Sequence, residues 1–377
     1  MIQLPAEFDD IRPYYDSEIP VAMERMASDP LLAPAMMFLD RDADIEAFRK
    51  QLRHIKTSDQ FQAAVMYPMC LRLVEKTMTS YSCTGIEKVV RGRGALYVSN
   101  HRDIVMDAYL QQMSLHANNL PTSHITFGSN LMNPQFVVDF GMSNKMFRTD
   151  RKSSDVKSFL RSSQHLSDYI NYVVTHGESL WIAQRNGRTK DGIDRTEPGL
   201  VRMILMAGNR RARVEALNIT PLAISYQWEP CDILKAVELY RSLDGKPYVK
   251  AHGEDLQSIV RGITSQKGGV HLAFGNPVDV TEFADPLRRE DIHAIAAQID
   301  AQVWRGYKLW DTNYLAWDLL NNSSRFAGLY TPELKDCFLA KMRRDMEAYP
   351  SLEEGGLRNI YLKIYAGPVY NSPEALR

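Results

Sequence analysis

Hydrophobic positions recur three and four residues apart through the first 84 residues. DIEAFRKQLRHI (44–55) and DQFQAAVMYPMCLRLVEKTM (59–78) each lay an apolar stripe along one face of a helix, with Ser58 and Asp59 available to cap the second. An N-terminal helical region over residues 1–84 is the expectation. From Thr84 the pattern changes to short, nearly continuous apolar runs, each followed by a loop and a helical period. These runs are ALYVSN (95–100), SHITFGSN (123–130), MFRTD (146–150), SLWIAQ (179–184), ITPLAISYQW (219–228) and VHLAFGNPV (270–278). Helices are expected from about Asp103, over 134–141, 155–174 and 199–206, and from Asp232. Strands that are apolar on both faces and alternate with helices predict an α/β fold, with a largely parallel mixed sheet covered by helices over 85–285. A helical period over 291–310, the aromatic stretch KLWDTNYLAWDLL (308–320) and a helical tail predict a C-terminal extension, 286–377, packed on that domain. The basic run Arg210-Arg211-Ala212-Arg213 is expected to be a solvated loop.

Composition narrows the function. Of 377 residues, 45% are hydrophobic and 24% charged, which is the texture of an ordinary folded protein. A formal net charge of -1 supplies no global field to recruit nucleic acid or an anionic bilayer, so any polyanion must meet a local patch. Cys70, Cys83, Cys231 and Cys337 stand far apart, with no metal-ligand spacing and too few for a disulfide framework, which fits a reducing compartment. The start MIQLPAEFDD lacks the basic and apolar regions of a secretory signal, and no apolar run approaches the roughly 18–20 residues that cross a bilayer. A cytoplasmic protein is expected, with at most weak peripheral contact at the inner face of the cell membrane. No Gly-rich loop with Lys-Ser/Thr, nucleophile elbow or spaced histidine pair is present in the sequence, so neither cofactor nor metal is expected.

The chemistry concentrates at the ends of the strand runs. In ALYVSNHRDIVMDAYL (95–110) an apolar strand runs into His101 just before a helix start. A neutral imidazole there can take a proton from a hydroxyl if a carboxylate holds its other ring N–H, and Asp103 and Asp107 are the local candidates. Alone, a histidine beside two aspartates is more often a helix start or a surface pair. Three further stretches follow in order at strand exits: GMSNKMFRTDRKSS (141–154), SLWIAQRNGRTKDG (179–192) and NITPLAISYQW (218–228).

Together these four blocks, over roughly 85–230, resemble the glycerolipid acyltransferases. Those enzymes carry a His and an Asp with four residues between them in the first block; here five residues separate His101 from Asp107. Six positions turn an ideal helix by about 600°, roughly 120° out of alignment, so the pair meets only if His101 precedes the helix. The resemblance implies that His101 is a general base oriented by Asp107, with Asp103 left to start the helix. It also implies that Arg148, Arg151 and Lys152 of the second block, with Arg185, Gly187 and Arg188 of the third, bind a glycerol-phosphate-type acceptor. Asn186 stands where the family has glutamate. The fourth block, with Pro221, would shape a pocket. The implied reaction moves a fatty acyl group from acyl-CoA or an acyl-carrier protein to glycerol 3-phosphate or 1-acylglycerol 3-phosphate in phospholipid synthesis. A non-catalytic acyl-carrier- or lipid-binding relative, or a hydrolase using the same histidine, remains open. The tail aromatics Trp310, Tyr314 and Trp317 are expected to be core.

Overall fold

The computed structural model describes residues 2–150, 155–243, 245, 248–251, 253–372 and 375–376. Arg151 and Lys152 lie outside the described residues. The chain begins with helices α1 (Ile19–Ser28), α2 (Leu32–Leu39) and α3 (Ile45–His54), then α4 (Ser58–Phe61), joined through one π turn (Gln62–Met66) to α5 (Tyr67–Thr77). Asp44 caps α3 by accepting from Ala47 N. The cap of α4 is Thr57, which accepts from Gln60 N, and not Ser58 or Asp59. Those two turn to other partners: Ser58 N donates to Asp16, and Asp59 pairs with Lys145.

Residues 78–84, expected to belong to the helical region, instead form strand β1 (Met78–Thr84). Then follow β2 (Leu96–Ser99), α6 (Met106–Ala117), β3 (His124–Gly128), α7 (Gln135–Ser143), β4 (Met146–Thr149), α8 (Val156–Thr175), β5 (Leu180–Ala183) and α9 (Pro198–Ile204). The basic run expected to be a loop opens α10 (Arg211–Leu217), which buries Val214 and Leu217. The remainder is β6 (Thr220–Tyr226), α11 (Asp232–Tyr240), α12 (Glu254–Thr264), β7 (Gly268–Phe274), α13 (Arg289–Gly306), α14 (Asp311–Asn321), α15 (Pro332–Glu347) and α16 (Glu354–Tyr370).

The seven strands are ordered β1-β7-β6-β2-β5-β3-β4. Strands β6, β2, β5, β3 and β4 are parallel, whereas β7 runs antiparallel to β6 and parallel to β1. Successive residues of a strand face opposite layers. In β2, Tyr97 joins the core shared with α1, α5 and α6, while Leu96 and Val98 join the core under α8, α9 and α13. A third core holds α14–α16 against α11. Trp310 and Tyr314 are half-buried, and Trp317 packs edge-on to Phe326 beside this third core. Because β6, β2 and β5 are neighbours and parallel, their carboxyl ends open at one place, where ligands bind in sheets of this kind.

Candidate active site at the ends of β6, β2 and β5

Strand β2 ends at Ser99, and α6 does not begin until Met106, so Asn100–Val105 form a bend in which His101 precedes the helix. That bend absorbs the extra residue of the His–Asp spacing. His101 Nδ1 lies 2.9 Å from Asp107 Oδ2 in the first turn of α6. The bend folds round this carboxylate: Arg102 N and Asp103 N also donate to Oδ2, at 2.6 and 2.9 Å. With Asp107 on Nδ1, the ring presents Nε2 without a hydrogen-bond partner among the described residues, edge-on to Trp181 with centroids 5.7 Å apart. Asp103 starts the helix, its Oδ1 accepting from Val105 N at 2.9 Å and Met106 N at 2.8 Å.

Strand β5 supplies the second wall. Gln184 N bonds Ser99 O, and Thr189 N donates to His101 O at 2.6 Å, so the loop after β5 is fastened to the histidine bend. Gly187 has φ +77, a left-handed conformation that favours glycine. Arg188 is buried, 6% exposed; Nη2 donates to Ser258 Oγ at 3.2 Å, while Nη1 is buried with no partner. A buried guanidinium N–H without an acceptor is expensive. An anion would satisfy it. Arg185 is half-buried, 3.7 Å from Asp191, and Asn186 is exposed.

Strand β4 does not join this wall. Arg148 leaves an edge strand, its side chain 47% exposed and engaged with Asp150 at 3.2 Å. Two strands, β5 and β3, stand between β4 and β2, about 14 Å of sheet at roughly 4.8 Å per strand.

Under the bend lies an ionic cluster that the sequence does not announce. Fully buried Arg102 pairs with Asp194 at 2.6 Å and Glu229 at 3.2 Å, and Lys235 bonds Glu229 at 2.5 Å and Arg102 O at 2.6 Å. Burial alone would lower the Arg102 pKa, but Asp194 and Glu229 outweigh it and hold the group well above its usual value. Asp194 also accepts from Asn100 Nδ2 and Thr189 Oγ1, tying the first and third blocks together. Over the bend lies α12, also unforeseen: Gly262 packs on Asp103, where an added Cβ would come within 2.1 Å of Oδ2. On β6, Tyr226 donates its hydroxyl to Asp107 Oδ1 at 2.7 Å. The signal in the sequence was a tyrosine at the carboxyl end of the strand beside that of the histidine.

A buried imidazole held by a carboxylate, with a loop that carries a buried arginine with a free donor fastened to its bend, is equipped to take a proton from a hydroxyl on an anionic molecule. Comparison with known proteins agrees in region. A family model described as Acyltransferase matches residues 80–225. Glycerol-3-phosphate acyltransferases of Pseudomonas fluorescens strains Pf0-1 and SBW25 are 24% and 25% identical over 204 residues, 53% of this chain. One from Pseudomonas syringae pv. tomato is 24% identical over 203 residues. The chain spans 23% of the length of these relatives. Among solved structures, the 1-acyl-sn-glycerophosphate (LPA) acyltransferase PlsC from Thermotoga maritima is 13% identical, with 74% of this chain and 92% of that one covered and a TM-score of 0.39.

Proposed function

We propose that this chain, whose residues 80–225 match a family model described as Acyltransferase, transfers a fatty acyl group from a thioester, acyl-CoA or an acyl-carrier protein, to a hydroxyl of glycerol 3-phosphate or its 1-acyl derivative. The observation that carries the reading is the 2.9 Å contact of His101 Nδ1 with Asp107, which leaves Nε2 as the proton acceptor. The acceptor hydroxyl oxygen attacks the thioester carbonyl carbon as His101 Nε2 takes its proton, and Asp107 stabilises the imidazolium. Collapse of the tetrahedral intermediate breaks the C–S bond, and the thiolate leaves with the proton that His101 returns. No acyl-enzyme forms. Backbone N–H groups near Gly187 would face the developing oxyanion, and Arg188 with Arg185 would hold the acceptor phosphate.

Contact with an anionic bilayer is weak and reversible in this reading. Among the described residues no helix is long and apolar enough to cross a membrane. Val156, Phe159 and Leu160 stand exposed on the first turns of α8, with Lys157 and Arg161 beside them. They continue the stripe by which Leu166, Tyr169, Ile170 and Val173 pack on the sheet. The other exposed apolar pair on a helix of the N-terminal region, Met37 and Phe38, sits in a stretch containing Asp29, Asp40, Asp42 and Asp44, a poor match to anionic lipid.

The test is thiol release from acyl-CoA and acyl-carrier thioesters with and without each acceptor. Release that depends on a glycerol phosphate supports the reading. Equal release without acceptor indicates a thioester hydrolase, and binding without release a non-catalytic relative.

A further inference from the structure

Asp107 divides its two oxygens between different tasks. Oδ2 faces the histidine bend and takes His101 and the two backbone N–H groups. Oδ1 faces β6 and takes the Tyr226 hydroxyl at 2.7 Å. Tyr226 ends a strand whose seven residues are all buried, where a phenylalanine would fill the same space without a polar atom to satisfy. Burial first, and the adjacent Asp107 second, hold its phenol protonated far above the usual range, so it is a permanent donor. Tyr226 also lies one residue beyond the segment that matches the acyltransferase family model.

We propose that Tyr226 is a positioning residue of this site: its hydroxyl fixes Asp107 and draws charge from it, and thereby sets the pH at which His101 becomes free to accept a proton. The proposal rests on reading His101 as the base. A carboxylate that gives up charge to a phenol stabilises the imidazolium less, so the imidazole is neutral at lower pH. The surrounding charges leave this role to Tyr226. Arg102, Asp194, Glu229 and Lys235 are paired with one another; Asp103 spends Oδ1 on the helix start, and its buried Oδ2, without a hydrogen-bond partner among the described residues, adds to the charge that keeps the Tyr226 phenol protonated. Arg188 is held by Ser258 of α12. Lys267, beyond the end of α12, donates to Thr77, Ile263 and Ser265. The Cys231 thiol, kept un-ionised by burial, bonds Ser258 O.

The experiment compares the wild-type chain with Tyr226→Phe, and with a chain carrying a ring-fluorinated tyrosine at position 226 only, whose hydroxyl is the stronger donor. Two readouts are taken: the pH dependence of kcat/KM, and the NMR titration of the His101 imidazole in the free protein. Tyr226→Phe is expected to move the acidic limb and the His101 titration upward together by about half to one pH unit, and the fluorinated residue to move both downward. Identical His101 titrations in all three proteins would overturn the proposal, whatever happens to their stability, because a purely structural hydroxyl moves melting temperature and not the titration. If the titrations move as expected but no acyl transfer occurs with any donor, the coupling of Tyr226 to His101 stands and the catalytic reading falls. If transfer needs His101 and the titrations do not move, the reverse holds. Should Tyr226→Phe fail to fold, the fluorinated protein, which keeps every atom of the hydrogen bond, decides alone.

Discussion

The exits of β5 and β4 offer the same letters, an arginine or two in a polar turn, yet they end in opposite states. At the β5 exit Arg188 is driven into the protein, fixed at one end by Ser258 and left with a buried unpaired donor. At the β4 exit Arg148 stays half in water and bonds its near neighbour Asp150. Strand order decides between them. β5 lies beside β2 and so beside His101, whereas β4 is the far edge, with two strands between it and β2. A buried unpaired donor raises the energy of the empty site and is relieved by an anion, while an exposed ion pair contributes little either way.

Five substitutions grade that contrast. The largest effect belongs to His101→Ala, expected to reduce turnover on the order of 10²–10⁴-fold while the circular dichroism spectrum is kept; unchanged turnover removes the mechanism. Next comes Asp107→Asn, which should reduce kcat far more than Asp103→Asn, because only Asp107 touches the imidazole; the opposite ranking means that the wrong carboxylate has been assigned. Third, Arg188→Ala should raise the acceptor KM about tenfold or more with little change in the donor KM, as expected for one charge-assisted bond to phosphate. The smallest effect is that of Arg148→Ala, expected to alter either KM less than about twofold, in keeping with an exposed pair. An Arg148 effect as large as that of Arg188 would break the comparison, since it would require the β4 exit to reach the acceptor.

The core of the sheet was legible because strands buried on both faces write continuous apolar runs: Leu96–Ser99 and Thr220–Tyr226 could be read at sight. Strand β1 could not, since Met78–Thr84 is an edge strand, mostly exposed or half-buried, and spells MTSYSCT. Helix α12 hid for a different reason. Its buried positions are Ser258 and Gly262, which rest on Arg188 and Asp103, while Leu256 and Val260 are exposed, so its apolar pattern points away from its packing face. Within the site, His101 and Asp107 are close in sequence and their pairing could be anticipated. Tyr226 reaches Asp107 across 119 positions, and Asp194 reaches Arg102 across 92. Contacts of that span depend on strand order, which periodicity does not encode.

The central claim is acyl transfer through His101, and the direct measurement is mass spectrometry of products. The purified chain and its His101→Ala variant are incubated with acyl-CoA and acyl-carrier thioesters, together with glycerol 3-phosphate or 1-acylglycerol 3-phosphate. An acylated glycerophosphate formed one for one with free thiol by the wild-type chain, and lost in the variant, is the expected result. Free fatty acid in place of that ester, or an ester formed equally well by His101→Ala, would contradict it.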